Sequence, residues 1–321
     1  MSRPLGQLFA SSDILSGEEA MKMRNYCSTA YMDPDRDLKD SYGILFEDGN
    51  LTAFQEHFQS RVQHFEGRQY EAAQELFKVK WGPTRIPVYV VLLAFTSINP
   101  GLRYYYIAIA EWLVDTAKVP VDGTDISGTT ALMHSISQKP YFDPEFAQLM
   151  FDAGADINRR DRFGGIAAHD ITTVQLLYDH VAHEKAGRAL QWFLEHGGTL
   201  DIEDGDGISV RRIIASLEGT DRTLKGVVDR VEQQQSGGSN TGSGVTARPT
   251  ARNSPCPWQE ERALSITKQF PRECHDPDAR LTNLMIRKFH SRKRNRPASP
   301  GTSALPKGVD LGQMLLGKTR K

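Results

Sequence analysis

Apolar residues recur at helical spacing through most of the first 235 positions of this chain, then give way to a glycine- and serine-rich stretch. "PVYVVLLAFTSIN" (87–99) and "RYYYIAIAEWLVDTA" (103–117) predict a helix pair, with Pro100-Gly101 as the turn between them. Upstream, "LTAFQEHFQSRVQHF" (51–65) and "YEAAQELFKVKW" (70–81) predict two more helices, placed to cap that pair. "DRTLKGVVDRVEQQQ" (221–235) has a polar outer face, as a terminal helix on a stack requires. Residues 1–45 give only one short helix, at 18–32, in otherwise loose chain.

Between these elements the chain repeats itself. Asp-x-x-Gly followed by a helix start occurs at Asp125 ("DISGTTALMHS"), Asp161 ("DRFGGIAAHDI") and Asp204 ("DGDGISVRRII"). The segment from Phe146, "FAQLMFDAGADINRRDRFG", aligns without a gap to "ALQWFLEHGGTLDIEDGDG" from Ala189, so that Leu149 meets Trp192, Gly154 meets Gly197 and Asp161 meets Asp204. A looser copy begins at Ile109. Each copy reads as an amphipathic helix, a glycine stop, an extended stretch, a tight turn and a new helix. Gly197 stands where a left-handed C-terminal cap is needed, and Thr130 and Ser209 stand where a hydroxyl can accept from free helix amides. Trp192 and Leu149 are expected between neighbouring helix pairs. One such unit cannot bury its own faces, whereas several stacked units can.

These residues resemble the ankyrin repeat, whose pattern runs Asp-x-x-Gly-x-Thr-Pro-Leu-His-x-Ala and closes with Gly-Ala-Asp-x-Asn. "GADINRRDRFG" (154–164) matches the closing part and "DISGTTALMHS" the opening part. Ala131 replaces the proline, Met133 stands in the histidine place, and the next copy keeps His169 but has Ile166 for threonine. The copies lie 36 and 43 residues apart, against a family period of about 33. The excess is placed in "KPYFDP" (139–144) and "DHVAHEKAG" (179–187). The resemblance implies an all-α fold: a short solenoid of three to four units over 82–235, with helical caps. It also implies a noncatalytic protein-interaction scaffold or adaptor. On the family's pattern the exposed turn tips are Asp125, Ile126, Arg159, Arg160, Arg162, Phe163, Glu203 and Asp206, the candidate contacts for a protein partner. Phe163 among arginines reads equally as an interface anchor or as a residue folded onto the next turn.

Charge divides the chain more sharply than composition does. Residues 236–321 hold 16 Lys and Arg against 6 Asp and Glu, a net of +10, and the preceding 235 residues carry −11. An acidic body with a basic, linker-like tail points to an interaction tail, expected to be disordered. "IRKFHSRKRNRP" (286–297) holds Arg287, Lys288, Arg292, Lys293, Arg294 and Arg296 with no acid. It reads as an import signal that would engage an import receptor, ahead of a solvated charge run. Nucleic-acid recognition ranks behind both, because no reading fold surrounds the cluster.

The remaining motifs change little. "GQMLLGKT" (312–319) spells a phosphate-binding loop, yet only two residues follow it and no helix can receive the phosphates. "DPDRDLKDSYGILFE" (33–47) alternates aspartates, but Leu38 and Ile44 occupy the glycine and glutamate places of a calcium loop. Cys256, Cys274, His275 and His290 are the candidate metal ligands, in a stretch that faintly resembles the cysteine-rich zinc module of some fungal ankyrin proteins. Their spacing matches no zinc knuckle, so no metal site is assigned. His134 and His169 are read as structural hydrogen-bonding residues. No nucleophile–base order or cofactor fingerprint is found, so neither enzyme activity nor a cofactor is expected. No apolar run could span a bilayer, and a cytoplasmic or nuclear location, or both, is the expectation. The domains are expected as a loose segment (1–45), a helical cap (46–81), repeats with a capping helix (82–235) and the tail (236–321). The competing reading is a nuclear regulator whose tail binds nucleic acid or zinc while the repeats position it.

Overall fold

The computed structural model describes residues 2–30, 32–137, 142–173, 180–216 and 223–237. Helices α1 (Leu5–Ala10), α2 (Gly17–Thr29), α3 (Pro34–Asp37) and α4 (Ser41–Asp48) precede the cap hairpin of α5 (Leu51–His64) and α6 (Gln69–Lys78). Most of the described residues before 46 are thus helical, where one short helix at 18–32 in otherwise loose chain was expected. Asp33–Glu47, the calcium-like stretch, is consumed by α3 and α4. There Asp40 caps α4 through the Tyr42 and Gly43 amides and also accepts from the Trp81 indole.

Four helix pairs follow: α7 (Val88–Ile98) with α8 (Arg103–Asp115), α9 (Ala131–Ile136) with α10 (Pro144–Asp152), α11 (Ala167–Thr172) with α12 (His180–Glu195), and α13 (Val210–Ser216) with α14 (Thr223–Gly237). The first members pack in sequence, α7 on α9, α9 on α11 and α11 on α13. Helix α7 is buried nearly all round because α4 covers one side, α8 another and α9 a third. Helices α9 and α11 are six residues each, too short to persist alone. Their stability comes from Leu132, Met133, Ile136, Ala167, Ala168 and Ile171, all buried in one continuous core.

The unit boundaries are where the repeat placed them. Thr130 caps α9 by accepting from the Met133 amide at 3.2 Å, and Ser209 accepts from Arg212 at 3.3 Å. Gly154 and Gly197 take positive φ of 92° and 84° at the helix stops. Asn158 joins consecutive units, donating to the Gly197 carbonyl at 3.0 Å and accepting from the Thr199 amide at 2.9 Å. Arg103 on α8 reaches forward to Asp143 (2.8 Å) and Glu145 (2.9 Å) at the start of α10.

One core assignment is corrected. Trp192 and Leu149 are only partly buried, and the interior positions of their helices are Phe193 and Leu190, and Phe146, Ala147 and Met150. Trp192 instead lies on the outer face, stacked on His196 at 3.9 Å and edge-on to Phe151 at 5.9 Å. The alignment of the copies holds; the face that points inward is one residue away. Phe193→Ala should therefore destabilise by about 3–5 kcal/mol, with Trp192→Ala well below it. Urea denaturation of the two variants side by side checks the order.

Candidate partner-binding surface

The repeated Asp-x-x-Gly has one physical cause. At Asp125, Oδ1 accepts from the amides of Ser127 (2.9 Å) and Thr129 (3.0 Å). At Asp161 it accepts from Phe163 and Gly165 (2.8 Å each), and at Asp204 from Asp206 (2.9 Å) and Ile208 (3.0 Å). In every tip the carboxylate gathers the amides two and four residues on. The intervening glycine, Gly128, Gly164 or Gly207, takes positive φ of 81°, 73° or 75° to make that closure possible.

The tips are also tied to each other. The residue after each aspartate donates its amide to the preceding turn: Ile126 to Thr84 (2.9 Å), Arg162 to Ser127 (2.8 Å) and Gly205 to Phe163 (2.7 Å). The result is a regular row of turns along one edge of the stack. His134 Nε2 meets Asp125 Oδ2 at 3.1 Å, beside the Met133 that took the family's histidine place. His169 Nδ1 accepts from the Ile166 amide at 3.1 Å while Nε2 lies 3.0 Å from the Ile208 carbonyl, joining two units. Both histidines hold the fold, as expected.

This row with the helix pairs behind it is ankyrin-type architecture. The solved structures similar to the chain include two ankyrin repeat proteins. One is an ankyrin repeat domain from Acinetobacter baumannii AYE, at 13% identity and TM-score 0.39, covering 71% of this chain and 99% of that one. The other is the ankyrin repeat protein EF0377, at 12% identity and TM-score 0.38, covering 58% of this chain and 94% of that one. No family model and no curated protein matches the chain.

The expected site residues divide into two groups. Arg160, Glu203 and Asp206 are exposed and Arg159 and Arg162 half-buried, all along the tips. Ile126, Phe163 and the side chain of Asp125 are buried, which corrects their placement as exposed contacts. Asp125 is spent inside its own turn, and Ile126 and Phe163 lie beneath residues 5–27. A separate small core forms there from Leu8, Leu15, Ala20 and Met23 with Ile126 and Phe163. Arg24 sits over the Phe163 ring at 4.5 Å. The Leu15 amide donates to the Arg162 carbonyl at 2.6 Å, and the Gly17 amide to Asp206 at 3.0 Å. Gly205 permits this crossing, since a Cβ there would collide with the Leu15 carbonyl oxygen. The N-terminal strap was not legible as a cover for the tips, although its apolar residues and the glycine at 205 are the signals it leaves in the sequence.

Under the strap, burial and the neighbouring Asp170 push the Asp161 carboxyl up to about 7. Burial likewise raises Asp170, and it pushes the Cys27 thiol up to about 11. The tail candidates Arg287, Lys288, Arg292, Lys293, Arg294, Arg296, Cys256, Cys274, His275 and His290, and the 312–319 motif, lie outside the described residues. Among the described residues no group of three His, Cys, Asp or Glu could hold a metal ion, and no helix is long and apolar enough to cross a membrane.

The raised Asp161 carboxyl makes a signed prediction. An unfolded aspartate titrates near 3.9, so from about pH 4 to about pH 7 the native chain keeps a proton the unfolded chain has lost. That contribution is complete below pH 4 and disappears as pH rises through 7. Asp161→Asn keeps the acceptor for both amides without the charge. Its stability should gain on the wild type as pH rises across that window, and parallel urea midpoints at pH 4.5, 6 and 7.5 measure the difference.

Proposed function

We propose that this chain is a noncatalytic protein–protein interaction module that meets its partner along the turn-tip edge. The observation that carries this reading is how the tips spend their groups. Asp and Gly close each turn with bonds directed inward, while half-buried Arg159 and exposed Glu203 spend no side-chain group on the stack and Arg160 and Asp206 are exposed beside them. A photo-crosslinking residue at position 159 of the full chain should form a discrete adduct in cells, and one at Glu195 on α12 should not. Adducts from the α12 position alone would move the interface to the outer helices.

The charge split between body and tail supports a second element of the proposal, that residues 286–297 are an import signal placing the chain in the nucleus as well as the cytoplasm. Residues 236–321 fused to a carrier too large to diffuse through the nuclear pore should accumulate in the nucleus. Alanine at Arg287, Lys288, Arg292, Lys293, Arg294 and Arg296 should abolish that accumulation.

A further inference from the structure

The strap does not close flush on the tips. Between the end of α1 with the chain that follows it, Phe9–Ile14, and the first three turns lies a cleft of about 540 Å³. Its walls bring together Lys80, Arg85, Arg159, Arg160 and Arg162, with Ser11 and Ser12 on the strap side. The carboxylates lining it are Asp125 and Asp161. Five cations around two acids is unexpected in a body whose first 235 residues carry a net charge of −11.

The chemistry of those five is as distinctive as their number. Several arginines elsewhere among the described residues are matched to carboxylates: Arg3 to Glu19 at 2.7 Å, Arg61 to Glu75 at 2.6 Å, Arg103 to Glu145 at 2.9 Å and Arg211 to Glu232 at 2.8 Å. In the cleft the bonds go to neutral carbonyls. Lys80 donates to Thr124 at 3.0 Å, Arg160 to Gly164 at 2.8 Å and Glu203 at 2.6 Å, and Arg162 to Ile126 at 3.0 Å. Among the described residues Arg85 and Arg159 have no ion pair or side-chain hydrogen bond, and Nε and Nη2 of Arg162 are buried without a hydrogen-bond partner. Among the described residues neither acid forms an ion pair with any of the five. Asp125 is taken by His134, Ser127 and two backbone amides, while burial holds Asp161 towards its neutral form. Asp13, next along the strap, is paired with Arg3 at 2.8 Å.

We infer that this cleft is the seat of an anionic ligand, and that the ligand is an acidic peptide segment of the partner protein, carrying Asp or Glu beside an apolar residue. The inference rests on the interaction reading above and specifies its chemistry. Arginine forks match carboxylates in bidentate geometry, and charge-assisted bonds of this kind are among the strong ones. Phe9 and Ile14, the latter 51% exposed, give the apolar neighbour a wall. A phosphate cradle built from convergent backbone amides is a poor fit, because the tip amides are spent on Asp125 and Asp161 and on the neighbouring turn. A long polyanion such as nucleic acid would meet the acidic body beyond the cleft. A short segment interacts mainly within a screening length of about 8 Å, where the cations dominate.

The test uses the full chain. Immobilised protein is panned against a display library of random dodecapeptides near physiological salt, and selected peptides are measured by fluorescence anisotropy. Acidic sequences with an adjacent apolar residue should be enriched. Their affinity should fall about tenfold or more in the Arg85→Glu/Arg159→Glu variant and drop with added salt. Arg212→Glu, an exposed reversal away from the cleft, should leave it unchanged. The double variant changes side chains that make no intramolecular bond among the described residues, and circular dichroism confirms that it folds. Acidic peptides that bind the double variant equally well would overturn the inference. So would displacement of the peptides by pyrophosphate or duplex DNA at comparable charge concentration, which would indicate a small-anion or nucleic-acid site. Enrichment of non-acidic peptides that depend on the tips would sink the acidic ligand and leave the interaction reading standing. Selection of no peptide at all would remove both.

Discussion

Everything distinctive in this molecule depends on one short closure, a carboxylate that gathers two backbone amides across a glycine in the left-handed region. Asp125, Asp161 and Asp204 each make it, and each closed turn presents its next amide to the turn before. The closure fixes where the following helix starts and hence which face of that helix meets its neighbour. Six-residue helices such as α9 and α11 have no independent stability. They exist because the turns deliver them in register against α7 and α13, with a continuous core from Leu38 to Val231 holding the stack.

The same closure underlies the recognition proposed for the tip edge. Backbone polarity is satisfied largely inside the turns, so side chains such as Arg159 and Glu203 are not needed to close them. The chain then covers part of that edge itself. Leu8, Leu15 and Met23 remove Ile126 and Phe163 from solvent, while the arginines beside them keep only carbonyl partners. Apolar tip groups are satisfied within the chain, whereas the cationic ones of the cleft find no carboxylate ion pair among the described residues. The cleft's charge preference follows from that separation.

How much of this the sequence disclosed depended on the range of the interaction. Local chemistry was legible: the helix pair around Pro100-Gly101, the stops at Gly154 and Gly197, the Thr130 and Ser209 caps and the tip aspartates all act within a few residues of themselves. Facing was less so, because three consecutive apolar residues at Trp192, Phe193 and Leu194 cannot say which one points inward, and the structure chose Phe193. The strap was the least legible, since it touches turns more than a hundred residues away. Gly205, which has no conformational need for glycine in its own turn, marks that crossing only once the Leu15 carbonyl is known to lie against it.

The sequence by itself determined the repeat, its punctuation and the opposite charges of body and tail, because periodicity, turn chemistry and composition are properties of neighbouring residues. Only the tertiary structure decided which tip residues reach solvent and which cations find acids. Those outcomes depend on what a distant segment happens to cover. Ile126, Phe163, Arg85 and Arg159 are unremarkable in the sequence, and the strap's packing buries the first two. Its loop closes a cleft beside the other two, which keep their charges unmatched.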